Sequence, residues 1–232
     1  KDVLESYKAV YKDKRHLKPS FIKIATACIN SGKPLFDKQK PYVDKCRVCL
    51  LFDWRIDSLF DESKSLEVIE LFRKVFSESE GQAEGQVIAD FVTNLIATTA
   101  SQDLIGCTAE INQTVVGCIF FSRLTVPSGQ SAFILSPVAV SSDMQRTGIG
   151  QKLITYGLDH LRSLNVSLAF TYGDPSYYSK TGFEQISEHI VKAPCPLSQP
   201  IGWLAQSLDG QVIEPMAGPT KCVEALNDPG LW

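Results

Sequence analysis

The stretch Val138-Ala139-Val140-Ser141-Ser142-Asp143-Met144-Gln145-Arg146-Thr147-Gly148-Ile149-Gly150 is built to meet an anion. Its apolar start reads as a strand, its middle as a turn, and its end as the opening of a helix. A helix that begins there leaves its first backbone N–H groups unpaired and pointing outward. With the helix dipole they attract a phosphate, and Gly148 and Gly150 let it approach the backbone. Gln145 and Arg146 can add side-chain donors. The pattern is not a dinucleotide fingerprint, since Leu153 stands where a third Gly would be needed, and no Gly-Lys-Ser/Thr follows to make a P-loop. Taken alone, a Gly-x-Gly before a helix is more often an ordinary tight turn than a phosphate cradle.

Other side chains could carry proton chemistry. Tyr177 and Tyr178 are adjacent phenols, and such pairs often divide between core and cleft. Glu80, Glu84, Glu110, Asp143 and Asp174 are candidate bases, although each by default is a solvated carboxylate. Asp174-Pro175 also reads as a helix start, with Asp as cap and Pro at the first position. Cys46-Arg47-Val48-Cys49 has zinc or redox spacing but no second ligand pair, so no metal is expected and buried thiols are favoured. His160 is read as a surface residue within a helix, and His189 has no triad partners. Trp203 and Trp232 read as edge packing.

These residues need elements to position them. Apolar spacing predicts helices over Ser65 to Phe76 and Val87 to Thr98, with Gly81 and Gly85 as breaks. Leu104 to Ile111 and Val115 to Leu124 form a hairpin around Asn112-Gln113. Ala132 to Val140 is a third strand, Ile149 to Leu164 a helix, and Val166 to Tyr172 a buried strand. Pro175 to Lys180 is short and helical, and Phe183 to Ser187 and Trp203 to Leu208 are strands. The expected fold class is α/β, with a mixed, mostly antiparallel central sheet and helices on both faces.

Composition sets the bounds. The chain has 232 residues, 44% hydrophobic and 21% charged, enough apolar material to bury a core. No run nears the roughly 20 apolar residues of a membrane span, and no signal segment follows Lys1, so no membrane is expected. Seven cysteines at no scaffold density suggest reduced thiols in a cytoplasm. Residues 1–52 hold twelve Lys and Arg against five Asp and Glu, a balance of +7; the rest, eleven against twenty-one, stands at −10. The boundary falls near 46–54. The favoured reading of 1–52 is a largely helical basic extension packed on the acidic body or on a second copy in a homodimer; the sharper one is an arm for nucleic acid.

Gln145-Arg146-Thr147-Gly148-Ile149-Gly150 resembles the Gln/Arg-x-x-Gly-x-Gly/Ala loop of the GNAT superfamily of N-acetyltransferases. Val138-Ala139-Val140 stands where that family has its pantetheine-contacting strand. Gly173-Asp174-Pro175-Ser176-Tyr177-Tyr178-Ser179-Lys180-Thr181-Gly182-Phe183 is similar to the family's second signature, and its Gly-Asp-Pro-x-Tyr-Tyr form to a small bacterial branch. The order of elements fits over about 54–208; residues 1–52 have no counterpart.

The resemblance implies an acetyl-CoA-dependent N-acetyltransferase that moves the acetyl group directly to an amine in a ternary complex. Val138, Ala139 and Val140 would hold the pantetheine. Gln145, Arg146, Thr147, Gly148, Ile149, Gly150 and Gln151 would hold the pyrophosphate. Tyr178, four residues before Gly182, matches the family's general acid, and Glu110 lies at a position close to the family's acceptor cleft. The acceptor would be a small-molecule or peptide amine. Two other classes stay open: a non-catalytic acyl-CoA-binding regulatory module, and an RNA- or ribosome-associated acetyltransferase that docks through 1–52.

Overall fold

The computed structural model describes residues 54–232, with side chains from 60 onward. The basic segment 1–52 and the Cys46–Cys49 pair lie outside the described residues. The chain divides into two compact units, one holding residues 1–55 with Glu110–Thr114, the other Ile56–Ala109 with Val115–Trp232. The described part of the first is Trp54, Arg55 and the tip of a hairpin, where Asn112 and Gln113 take φ of 51° and 68°. Two successive positive φ values make the turn that matches strand twist in a two-residue hairpin.

The strands are β1 (Trp54–Leu59), β2 (Leu104–Ile111), β3 (Thr114–Arg123), β4 (Ala132–Val140), β5 (Leu168–Tyr172), β6 (Glu184–Gln185) and β7 (Trp203–Ser207). They form one sheet in the order β1-β2-β3-β4-β5-β7-β6. β3 and β4 run antiparallel, β4 and β5 parallel, and β7 antiparallel to both β5 and β6. The helices are α1 (Ser65–Glu80), α2 (Gln82–Thr98), α3 (Ile149–Ser163) and the single turn α4 (Pro175–Tyr178). The mixed, mostly antiparallel sheet expected from the sequence is therefore present.

Strand alternation sends successive side chains to opposite faces, and here each face has its own helices. Cys118 and Phe120 of β3, with Leu124 just beyond it, join Ile134 and Phe170 in a core closed by Val68, Phe72 and Val75 of α1 and Val92 and Leu95 of α2. On the other face, Ile119 and Phe121 meet α3 at Gly157, where an added Cβ would lie 2.4 Å from the Phe121 ring. α3 thus sits closer to the sheet than a side chain at 157 would allow.

Two sequence expectations need correction. Gly81 does break the helix, at φ 103°, but Gly85 lies inside α2. An added Cβ there would fall 2.6 Å from the Arg73 carbonyl of α1, so Gly85 serves close helix–helix approach rather than termination. Trp203 and Trp232 are not edge packing. Trp203 is fully buried, stacks on Phe170 at 5.2 Å, and donates its indole N–H to the Val191 carbonyl.

Candidate active site

The site begins where β4 leaves β5. The parallel pairing runs from Ala132 opposite Leu168 to Leu135 opposite Thr171, and then β5 ends at Tyr172 while β4 continues to Val140. Pairing with β3 explains the divergence. Phe121 faces Leu135 but Ile119 faces Val138, so β4 carries one extra residue in the Ser136–Pro137 segment, whose peptide bond is cis. A bulge bends and re-aims the strand that carries it, and Pro137 has no N–H to give to a ladder.

The extra residue also resets which backbone groups face the gap. Before the bulge the Leu135 carbonyl points toward β5, where it accepts from the Thr171 hydroxyl. Beyond it, the Ser141 N–H donates to Val116 of β3. Alternation back from Ser141 turns Ala139 toward β3 and leaves the backbone of Val138 and Val140 facing the opened side. Ala139, named with them from the sequence, is buried in the core facing α1 and α2.

The loop that follows prepares an anion site. The Ser142 hydroxyl bonds the Glu78 carboxylate of α1, which ties the start of the loop to that helix. Arg146 and Gly148 take φ of 62° and 89°, and Gly148 is the N-cap of α3 with no side-chain cap. The first backbone bond of the helix runs from the Lys152 N–H to the Gly148 carbonyl. Among the described residues, the N–H groups from Arg146 to Gln151 donate to no backbone carbonyl. No acidic residue lies in the first turn of α3, while His160 and Arg162 lie in its last. The unpaired N–H groups and the absence of an acidic side chain in the first turn favour an anion at the N-terminus. Gln145, expected as a phosphate donor, turns its Nε2 back to the Val140 carbonyl at 3.1 Å and fastens the loop to the end of β4. Arg146 is exposed and Thr147 binds the Met144 carbonyl.

α4 brings the two phenols to this place. Asp174 caps it, accepting from the Ser176 N–H at 2.8 Å, with Pro175 in the first turn. That bond and the Ser176 hydroxyl hold the Asp174 carboxyl below its usual range. Asp174 is thereby the cap that Asp174-Pro175 promised. The Tyr177 hydroxyl stands over Gly150, where an added Cβ would be 2.2 Å away. The Tyr178 ring lies over Gly173, where an added Cβ would be 2.7 Å away, and edge-on between Tyr177 and Phe183. Desolvation pushes the Tyr178 phenol up to about 12, opposed by the Thr171 side chain and aided by Tyr177 and the Asp174 charge. Tyr177 is raised as well, by burial alone. Tyr178 therefore holds its proton throughout the neutral range.

Of the remaining candidates, Glu110 is half-buried near the end of β2, in the segment that belongs to the first unit. Glu80 and Asp143 are exposed and Glu84 is half-buried. Among the described residues, no three His, Cys, Asp or Glu gather as metal ligands, and no helix is long and apolar enough to cross a membrane. Two features near the site escaped the sequence reading: the bulge and the bond of Thr171 to Leu135. Pro137 inside an apolar strand was the available sign of the bulge. Nothing in the local sequence marks Thr171, because its partner, the Leu135 carbonyl, comes from β4.

The acetyltransferase (GNAT) family model matches residues 65–183, just over half of the chain, and includes β4, the loop, α3 and both tyrosines. The N-acetyltransferase YjhQ of Escherichia coli (strain K12) is 27% identical over 170 residues, covering 71% of this chain and 90% of its own. Among solved structures, the GNAT family N-acetyltransferase YhbS of Escherichia coli in complex with CoA superposes with a TM-score of 0.62 at 24% identity, covering 75% of this chain and 91% of that one. A GNAT family acetyltransferase from Brucella melitensis in complex with acetyl-CoA gives 0.57 at 23% identity, over 75% and 97%. With a parallel pair whose pairing stops at Leu135 and Thr171, an uncapped helix N-terminus beyond it, and a family model spanning both, the chain belongs to the acetyltransferase (GNAT) family.

Proposed function

We propose that this protein transfers the acetyl group of acetyl-CoA to an amine held beside the gap between β4 and β5. One observation carries the reading: the edge of β4 beyond its pairing with β5 runs into the uncapped N-terminus of α3, with the Tyr177 hydroxyl over Gly150 and the Tyr178 ring over Gly173. The N–H groups from Arg146 to Gln151 suit the pyrophosphate, because nothing acidic competes there and Gly148 has open space around it. The backbone of Val138 and Val140 suits the pantetheine amides, and an N–H there can stabilise charge developing on the thioester oxygen.

The chemistry then needs no protein nucleophile. The amine nitrogen bonds to the carbonyl carbon, the C–S bond breaks, and Tyr178 gives its proton to the departing sulfur. The nitrogen sheds its proton to a base, for which Glu110 is the candidate, or to water. Holding both reactants in one site supplies much of the rate. The acidic balance of residues 53–232 favours a cationic acceptor by long-range attraction.

The test is CoA release from acetyl-CoA across a panel of polyamines, amino sugars and peptides with free N-termini, alongside calorimetry with CoA. Turnover with at least one amine is expected. CoA binding without turnover on any amine would favour the regulatory module instead.

A further inference from the structure

The Tyr177 hydroxyl stands against the first turn of α3. A Cβ added at Gly150 would lie 2.2 Å from that oxygen, 3.6 Å from the ring carbon that bears it and 3.5 Å from a methyl group of Val140. Val140 ends β4, and Gly150 is the second residue of α3. The phenol oxygen therefore sits where the strand end and the helix start meet. The capped turn of α4 and the Tyr178 ring, edge-on at 5.1 Å between centroids, hold the Tyr177 ring there.

Two features turn this position toward a ligand. A Cα–Cβ bond in a helix tilts toward the N-terminus, so an atom lying where Gly150 lacks its Cβ is on the side to which the first N–H groups point. The N–H groups of Gly150 and Gln151 donate to no backbone carbonyl among the described residues. The hydroxyl itself has no hydrogen-bond partner among the described residues. The bonds around it belong to others: Ser176 donates to Asp174, and Thr181 to the Tyr178 carbonyl. Tyr177 is half-buried, and a hydroxyl in such a place is completed by water or by a ligand. A phenol that keeps its proton offers one O–H to an acceptor, and an anionic oxygen is a better acceptor than water.

We propose that the Tyr177 hydroxyl is a further cofactor-binding group, donating to a pyrophosphate oxygen of CoA that the N–H groups at the start of α3 also hold. Gly150 admits it, because any Cβ at that position would take the place of the hydroxyl. The proton stays on the phenol oxygen, so the step is binding and no bond is made or broken. The adjacent phenols thereby divide the cofactor between them: Tyr177 takes its charge, and Tyr178 is left for its sulfur. This inference rests on the reading of the loop from Arg146 to Gln151 as the CoA site.

The experiment is calorimetry with CoA on the full chain, for the parent, Tyr177→Phe, Gly150→Ala and the double variant, together with ³¹P NMR of the bound cofactor. Tyr177→Phe keeps the ring and should weaken CoA binding roughly 10-fold, the lower end for a hydrogen bond to a charged group. It should also shift the pyrophosphate resonances of bound CoA and leave that of the ribose phosphate in place, which a merely structural role would not do. In the Tyr177→Phe background, Gly150→Ala should cost no more than about twofold further, because the hydroxyl it displaces is gone. CoA affinity of Tyr177→Phe within about twofold of the parent, unmoved pyrophosphate resonances, or losses that multiply in the double variant would each overturn the inference while leaving the loop as the CoA site. Should Gly150→Ala fail to fold, Tyr177→Phe decides alone. A folded parent that binds no CoA overturns the reading of the loop, and the inference falls with it.

Discussion

The two halves of β4 share one strand and differ in almost everything else. From Ala132 to Leu135 each residue is buried, and the backbone is paired on both edges. From Ser136 to Val140 pairing with β5 has ended, and burial alternates residue by residue between half-buried and buried. The first half is core, where Phe133, Ile134 and Leu135 hold the sheet together. The second carries backbone groups that would otherwise have been spent on a neighbour. The lesson is that a binding edge can be made inside a sheet by one inserted residue, without exposing an edge along its whole length. The well-paired half keeps the opened half in place.

Substitutions that separate the halves test this contrast. The largest effect belongs to the opened side. Gly148→Asp puts a side chain at φ 89° and a carboxylate where phosphate should sit. A like charge about 4 Å away at a surface-like dielectric costs ~4 kcal/mol, so calorimetry should show CoA affinity reduced by roughly 10³-fold in a folded protein. Unchanged affinity would remove the loop from the cofactor site.

Tyr178→Phe comes next. Loss of a positioned proton donor should lower kcat roughly 10²- to 10⁴-fold with CoA affinity kept. Tyr177→Phe should keep most activity, since its hydroxyl stands over Gly150. The reverse result would exchange the two assignments.

The paired half should fail in a different way. Ile134→Ala should cost about 2–5 kcal/mol of stability in denaturant unfolding, yet leave kcat and CoA affinity per folded molecule near the parent values. A selective loss of turnover at unchanged stability would mean that the two halves are not separable.

Gly150→Ala should be milder. Its methyl group must push the Tyr177 hydroxyl aside, and an off-rotamer shift of about 0.5–1.5 kcal/mol predicts roughly a 2- to 10-fold loss in CoA affinity. Removing that hydroxyl in Tyr177→Phe should relieve most of it.

The smallest effect is in the pH profile. A raised acid pKa means the proton-bearing, active form persists to higher pH and is lost only as pH climbs toward about 12. With an amine that accepts well, kcat should show no fall below about pH 10, whereas an unshifted phenol, with a pKa of about 10, would begin to fail near pH 9. A fall centred between pH 8 and 9 would exclude Tyr178 as the acid.

Much was legible in the chain because its signals are local. Helical spacing in α1 and α3, alternation in β2, and the loop from Gln145 to Gly150 depend only on nearby residues, and each was found within a few residues of its place. So was Asp174 with Pro175 as a helix start. What failed or went unseen depends on partners distant in sequence. Gly85 is a breaker by composition and a contact point by packing, because α1 supplies the carbonyl that a Cβ would strike. The tryptophans looked peripheral because nothing local shows that Phe170 lies under Trp203.

The amino-acid sequence by itself determined the elements, their order, and the kind of ligand the loop could hold. Periodicity, turn residues and an uncapped helix start are written into short stretches. Only the tertiary structure decided that β4 parts from β5 after Leu135, that Val138 and Val140 face the gap while Ala139 turns away, and that the Thr171 hydroxyl bonds the Leu135 carbonyl. Each of those facts is a register between strands, or a side chain meeting a residue from another element. Register is fixed by which surfaces bury together, not by any one segment.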